Sequence, residues 1–466
     1  MKLAVILLAA GEGTRMKSRH PKALHHVAGV PMASHVLQTA LRLGPDRTVV
    51  VVGHEADAVR AALGDGPDFV EQKERKGTGH AVLACRDLLE GAADLVLVAY
   101  ADHPVLRTES LEGLIELHQT DRAVLSFLTF QPADPGPYGR LLRDEEGAIV
   151  GIREAAEASE EEQKIDETID GALCFRGDWL WNRLDRLEPS AVKGERYLTD
   201  LVPIAVQEEA AISAMEIPAA EAMGINTRAE LAAAERILRD RIRERLMATG
   251  ITIVDPPSTF VDAEAEVGLD TVLHPQTYVL GRSFVGEGCQ IGPGTRIRDS
   301  RIGPRCAIES STIEESVLEE DVKVGPYAHL RHGTHLSQGV RLGSHVETKA
   351  SRLGPGVKVG HFCYIGDATI GAEANIGAGT VTCNFDGKEK HPTFIEDGAF
   401  IGSDTMLVAP VRVGRGAHTG AGSVVNQDVP PYTVAVGVPA RMVRKLREAP
   451  QKTLEESAEG ISPLES

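Results

Sequence analysis

The second half of the chain is written in sixes. An aliphatic residue, often followed by glycine, returns at Val285, Ile291 and Ile297, and again at Leu318, Val324, Leu330, Leu336 and Leu342. The spacing resumes at Leu353, Val359 and Ile365, at Ile370 and Ile376, and at Ile395, Ile401, Leu407 and Val413. A hexapeptide period held over more than a hundred residues predicts a parallel β-helix, in which each coil buries the aliphatic of its neighbour. The first half follows a different rhythm. Apolar runs at 2–10, 49–52, 95–99, 124–129 and 173–175 predict strands, and stretches at 33–43, 56–63, 79–89 and 110–118 predict helices. Such alternation implies a mostly parallel sheet with helices on both faces, where ligands bind beyond the carboxyl ends of the strands. Between the halves, alanine, leucine and alternating charges from Arg228 to Thr249 predict one long exposed helix closed by Gly250, a connecting arm. The divisions expected are therefore 1–228, a helical linker at 229–249, a β-helix at 250–448, and a polar, acidic, disordered tail at 449–466.

Composition narrows the class. At 466 residues the chain exceeds one core, and with 42% apolar but only 4% aromatic residues its cores must rest on Val, Ile, Leu and Ala. A net charge of −19 argues against a nucleic-acid or membrane-surface binder, so any anion must be met by locally gathered cations. Arg15, Lys22, Arg331, Lys349 and Lys390 are the candidates. Six cysteines without a C-x-x-C pair suit reduced thiols in a cytoplasmic protein, most of them small core residues. The apolar run at 3–10 is short and ends in Gly-Glu-Gly, which favours a first core strand over a signal peptide. No run approaches the length of a membrane span.

The chemistry begins where the first strand ends. Leu8-Ala9-Ala10-Gly11-Glu12-Gly13-Thr14-Arg15-Met16, followed by Pro21-Lys22, places a glycine turn and two cations after an apolar run. Backbone N–H groups in such a loop can surround phosphate oxygens. The segment is neither a dinucleotide fingerprint nor a P-loop, because Met16 stands where the third glycine would be and no Gly-Lys-Ser/Thr follows. It resembles instead the signature of sugar-1-phosphate nucleotidylyltransferases, whose fold is a Rossmann-like α/β domain. That resemblance implies catalytic roles for Arg15 and Lys22, with Leu8, Ala9, Ala10 and Gly11 against the nucleotide. Gln72, Gly77 and Thr78 match the family's uracil-reading segment. Tyr100-Ala101-Asp102 stands where the family usually has Y-G-D; with Asn226 in Gly224-Ile225-Asn226, Asp102 would hold Mg2+. Alone, an aspartate ending a strand is as readily a helix cap. His103 receives no role. On the sugar side Tyr138-Gly139-Arg140 and Glu154 match, as does Gly194-Glu195-Arg196-Tyr197-Leu198-Thr199-Asp200. Tyr100, Gly139, Glu154 and Asn226 are thus expected around the nucleotide and sugar. The family's E-[IV]-N-T-G is replaced by Glu167-Thr168-Ile169-Asp170-Gly171, so Ile169 stands in place of an asparagine, and Ala156 replaces a lysine. An isoleucine cannot supply the asparagine's hydrogen bonds, which bears on sugar selectivity.

In the repeat region the residues that break the pattern carry the signal. Leu330-Arg331, Glu347-Thr348-Lys349, Gly360-His361-Phe362-Cys363-Tyr364-Ile365-Gly366-Asp367 and Asn375-Ile376-Gly377-Ala378 lie on successive coils. Cys383-Asn384-Phe385-Asp386-Gly387-Lys388-Glu389-Lys390-His391 then interrupts the period, as a functional loop would. These segments resemble left-handed β-helix acyltransferases, which assemble as trimers and bind acetyl-CoA between subunits. The resemblance implies an acceptor site of Arg331, Lys349, Tyr364, Asn375 and Lys390, with His361 taking the proton of the attacking amine. It implies acetyl-CoA contacts at Ala378, Asn384, Phe385, Ser403 and Ala421.

Together the two halves resemble the bifunctional UDP-N-acetylglucosamine pyrophosphorylase / glucosamine-1-phosphate N-acetyltransferase family. The expected substrates are glucosamine-1-phosphate, N-acetylglucosamine-1-phosphate, UTP and acetyl-CoA, in a cytoplasmic homotrimer that engages neither nucleic acid nor membrane. Two alternatives stay open at this level. One is a nucleotidylyltransferase for a different hexose-1-phosphate, motivated by Ile169 and Ala156; the other is a trimeric scaffold with decayed catalysis.

Overall fold

The computed structural model describes residues 1–447 apart from positions 75, 137 and 193; the expected disordered tail at 449–466 lies outside the described residues. The chain divides into two compact units, the first spanning Met1–Arg241 and the second beginning at Ile242.

The first unit is built on one mixed sheet. Its main path runs Ile212–Glu216, Leu125–Phe130, Thr168–Arg176, Leu95–Tyr100, Leu3–Leu8, Arg47–Val52 and Asp68–Glu71. Thr168–Arg176 is antiparallel to both neighbours and the other pairings along this path are parallel. A hairpin of Gly139–Arg143 and Ile149–Arg153 extends one end of Thr168–Arg176. The central strands are buried on both faces, which is why they read as unbroken aliphatic runs rather than alternating ones. Helices Met32–Leu41, Ala56–Leu63 and Thr108–Thr120 form where apolar spacing predicts them. The stretch expected as one helix over 79–89 is two short ones, Thr78–Leu83 and Arg86–Leu89, broken at Ala84-Cys85. Buried Cys85 sits at that break, and nothing in the 3.6-residue spacing signals it.

The second unit is the parallel β-helix that the period predicts, left-handed as the family resemblance implies. Three parallel sheets of twelve, ten and nine strands stack two- and three-residue strands coil on coil, closed by one antiparallel pairing of Thr433–Val436 with Arg441–Lys445. Every aliphatic named above in the sixes is buried. The gap between Ile297 and Leu318 is an uneven stretch of the same helix. Ile302, Ile308 and Ile313 continue the aliphatic column there with spacings of five and six, and all three are buried. Thr348 and Thr382 occupy further inward positions, where their hydroxyls bond Thr334 Oγ1 at 3.0 Å and the Gly366 carbonyl at 3.0 Å.

Helix Arg228–Ala248 carries the chain from one unit to the other. It is not exposed all round: Ala234 joins a buried cluster with Met16, Val27 and Ile225, while Ile242 and Leu246 are also buried. All six cysteines are free thiols, five of them buried.

Candidate functional sites

The central strand Leu3–Leu8 ends in a cleft of about 440 Å3. Of the sequence-derived set, Leu8, Ala9, Ala10, Gly11, Lys22, Gln72, Gly77, Thr78, Tyr100 and Asp102 line it, and Arg15, Gly139, Glu154 and Asn226 do not. The glycine loop is held at both ends. Ala9 donates its N–H to the Val51 carbonyl at 2.8 Å, and Met16 is buried beneath the single turn Thr14–Met16. Gln72 is a buried side chain whose Nε2 donates to the Gly77 carbonyl at 3.0 Å. Gly77 has φ +95°, and a Cβ there would strike the Arg196 carbonyl oxygen. The same carbonyl accepts the Gly79 N–H at 2.9 Å, and Thr78 Oγ1 accepts the Leu198 N–H at 2.9 Å. The segments 77–79 and 196–198 therefore lock together, and the glycine is required by their close approach.

Four polar side chains meet at the cleft's charged edge. Lys22 Nζ donates to Asp102 Oδ2 and, at 2.6 Å, to Asn226 Oδ1; Arg15 Nη2 reaches the same Asn226 oxygen at 2.8 Å. Burial by itself would raise the Asp102 pKa, but neighbouring His103 and Lys22 hold the carboxyl well below the ordinary range. Asp102 and Asn226, 124 residues apart, are joined through backbone as well, because Ile225 donates its N–H to the Asp102 carbonyl at 2.9 Å. Two hard oxygen donors thus converge on one cationic group. That donor set fits a divalent ion which completes its shell with phosphate oxygens and water. No cluster of three or more His, Cys, Asp or Glu side chains is present among the described residues.

A second cavity of about 220 Å3 shares Thr78, Tyr100 and Tyr197 with the first and is lined by Tyr138, Gly139, Glu154 and Ile169. Thr199 Oγ1 donates to Glu154 Oε1 at 3.0 Å. Leu128, Ile169, Ala172 and Leu173 give this cavity an apolar wall. Tyr197 and Thr199 line it too; their segment is recognisable by motif, yet spacing gives neither side chain a direction. Burial, then the charge of Glu157, raises the pKa of neighbouring Asp200.

In the β-helix, register does the positioning. Arg331 donates its N–H to the Thr348 carbonyl at 2.9 Å, and Lys349 pairs with Gly366 in the next coil. Arg331, Lys349 and Gly366 thereby stack at the end of one sheet, with Tyr364 two residues before Gly366. Lys390 comes against Lys349, and that direct contact lowers the Lys349 pKa below the ordinary lysine range. Asn384 joins this group by donating to Asp367 Oδ2 and, at 3.5 Å, to Tyr364 Oη. The loop after Asn384 closes on itself. His391 donates its N–H to the Asn384 carbonyl at 2.8 Å, Phe385 bridges Lys390, and Asp386 accepts the backbone N–H groups of Lys388 and Glu389 at 2.8 Å.

His361, Ala378, Ser403 and Ala421 occupy one corner on successive coils. Gly379 donates to the His361 carbonyl at 2.9 Å, Asp404 to Ala378 at 2.7 Å and Gly422 to Ser403 at 2.8 Å. Asn375 stands apart, in the preceding sheet between Lys358 and Phe400, three residues before Ala378. The structure thus assembles two clusters from the second set of predicted residues: a basic one on a sheet and a corner column headed by His361.

An α/β cleft built on a glycine loop, joined in one chain to a β-helix with a histidine corner, has the two-part layout of a bifunctional transferase. Residues 5–166 match the MobA-like NTP transferase domain. The chain is 47% identical over 436 residues to "Bifunctional protein GlmU" of Heliobacterium modesticaldum, covering 93% of this chain and 95% of that protein. Proteins of the same name from Syntrophomonas wolfei and Thermotoga maritima are 43% and 44% identical, covering 94% and 95% of this chain and 97% and 98% of theirs. The chain belongs to the bifunctional GlmU family. It is a uridylyltransferase and an amino-sugar-phosphate N-acetyltransferase of UDP-N-acetylglucosamine synthesis.

Proposed function

We propose that residues 1–228 carry out uridylyl transfer and residues 250–448 acetyl transfer, with 229–249 as the connecting helix. The observation that carries the first assignment is the meeting of Arg15, Lys22, Asp102 and Asn226 beside the glycine loop. In uridylyl transfer a phosphate oxygen of N-acetylglucosamine-1-phosphate bonds to the α-phosphorus of UTP, and the bond to the β-phosphate breaks to release pyrophosphate. Both partners are anions, so the step depends on cations fixed in advance more than on a general base. Arg15 and Lys22 supply fixed positive charge; Leu8 to Gly11, Gln72, Gly77 and Thr78 hold the nucleotide; Tyr100, Gly139 and Glu154 hold the sugar. Asp102 and Asn226 would hold Mg2+, which when bound neutralises charge on the phosphates.

In acetyl transfer the amine of glucosamine-1-phosphate attacks the thioester carbon of acetyl-CoA. An N–C bond forms as the C–S bond of the thioester breaks; His361 accepts the amine proton, and CoA departs as the thiolate, to which that proton can be returned. Arg331, Lys349 and Lys390 surround the acceptor's phosphate, and Tyr364 and Asn375 orient its sugar. Asn384, Phe385, Ala378, Ser403 and Ala421 face the acetyl donor. The corner column of His361, Ser403 and Ala421 is exposed in the single chain, which supports closure of the site by neighbouring copies in a homotrimer. No helix among the described residues is long and apolar enough to cross a membrane, and we assign the enzyme to the cytoplasm. Measuring both half-reactions on Asp102→Ala and His361→Ala tests the assignment: each variant should lose one activity and keep the other.

A further inference from the structure

The uridylyl-transfer edge includes one residue to which the reading above gives no role. His103 follows Asp102 directly and is only 2% exposed. Its place is set by a tight turn at the end of strand Leu95–Tyr100. The His103 N–H donates to the Tyr100 carbonyl at 3.2 Å, and its own carbonyl accepts the Leu106 N–H at 3.2 Å. The ring is thereby directed inward. It lies 5.7 Å from the Tyr100 ring and against Gly171, where a built Cβ would come within 3.9 Å of His103 Cδ2. His103 Nδ1 stands 2.9 Å from Asp102 Oδ1.

The two oxygens of Asp102 are therefore divided between two partners. Oδ1 faces the imidazole, and Oδ2 faces Lys22 at the cleft. An ionised carboxylate only accepts hydrogen bonds, so the nitrogen facing it is the N–H donor. An apolar side chain could fill the same buried space without the desolvation cost of an imidazole. A carboxylate with one oxygen so held cannot rotate freely about its terminal bond. Outer hydrogen bonds of this kind fix a ligating group's orientation.

We propose that His103 is a positioning residue for uridylyl transfer: its Nδ1–H holds Asp102 Oδ1 so that Oδ2 is presented to the divalent cation and the substrate phosphates. The inference rests on the reading of Asp102 as a metal-facing group.

The test uses the full-length protein with saturating UTP, with Mn2+ as the probe. Free Mn2+ is measured by its EPR signal, and the Mg2+ concentration for half-maximal uridylyl transfer is measured alongside. His103→Leu removes the donor, His103→Asn restores an N–H near the Nδ1 position, and Asp102→Asn is the control. His103→Leu should weaken Mn2+ binding about 10–100-fold and raise the Mg2+ requirement in step, with acetyl transfer unchanged. His103→Asn should recover most of that loss. If His103→Leu lowers the melting temperature, His103→Ala repeats the comparison in a smaller side chain that also lacks a donor. Wild-type Mn2+ affinity in a folded donor-less variant overturns the proposal, as does an equal loss in His103→Asn. Unchanged affinity in Asp102→Asn would overturn the reading of Asp102 itself; loss there without loss in His103→Leu overturns only the role of His103.

Discussion

Ile225 donates its backbone N–H to the Asp102 carbonyl at 2.9 Å, and through that bond two distant segments become one edge of a site. Asp102 lies in the turn two residues beyond the central strand Leu95–Tyr100, whereas Asn226 lies just before the long helix Arg228–Ala248. Their side chains meet at Lys22. Asn226→Ala removes one oxygen from that edge and leaves the backbone bond in place. It should lower uridylyl transfer by at least ~10²-fold with little change in melting temperature, as loss of an electrostatic partner at a charge-developing centre does. Steady-state pyrophosphate release, read beside a thermal melt, checks this.

His361→Ala should cut acetyl transfer by ~10²–10⁴-fold, the usual worth of a positioned general base. Uridylyl transfer should be untouched, because the loop that builds that site shares no residue with the corner. Equal loss of both activities would contradict the two-site assignment.

Gly77→Ala tests the lock between 77–79 and 196–198. The added Cβ meets the Arg196 carbonyl at a φ of +95°, where L residues are strained. Thr78 and Gln72, both joined to this turn, should shift with it. The expected result is a raised KM for UTP and a lower melting temperature, with acetyl transfer retained.

Ile169 sits in the apolar wall of the sugar-side cavity, beside Glu154 and Tyr138. Ile169→Asn places an amide there with the same number of side-chain heavy atoms. We expect a lower KM for N-acetylglucosamine-1-phosphate and sharper discrimination against other hexose-1-phosphates, measured over a panel of sugar phosphates.

His118 predicts an acid limit to stability. It is buried on helix Thr108–Thr120, its Nδ1 lies 2.9 Å from Ser126 Oγ, and its Nε2 is buried without a partner among the described residues. Burial first, then Arg176, pushes its pKa down to about 4. A histidine depressed in the folded state contributes stability above its unfolded pKa near 6.5, and that stability is lost as pH falls toward 4. The loss amounts to about 3 kcal/mol at most. His118→Gln should flatten the fall in melting temperature of the first unit between pH 6.5 and 4.

Much of this architecture is legible in sequence because its periods are simple. The aliphatic sixes mark buried positions without error wherever they are regular; they lose count between Ile297 and Leu318, where coils shorten, and where Thr348, the step from Ile365 to Ile370, or Thr382 and the excursion after it interrupts the aliphatic column. The strands buried on both faces are equally plain. What spacing does not carry is long-range direction. Nothing local in the chain places Asn226 against Lys22, turns Thr199 toward Glu154, or sets His103 behind Asp102. Short strands such as Asp68–Glu71 and the hairpin at Gly139–Arg143 lack an apolar run and so lack a signal. The break at Ala84-Cys85 is a tertiary effect within a stretch that reads as one helix.

The most direct measurement is a pair of assays on the unaltered full-length protein with Mg2+. One follows pyrophosphate released from UTP across a panel of sugar-1-phosphates; the other follows thiol released from acetyl-CoA with glucosamine-1-phosphate. Both reactions should turn over, with N-acetylglucosamine-1-phosphate the preferred acceptor of the uridylyl group. A preference for another hexose-1-phosphate, or silence in either assay, would contradict the assignment of a two-step route to UDP-N-acetylglucosamine.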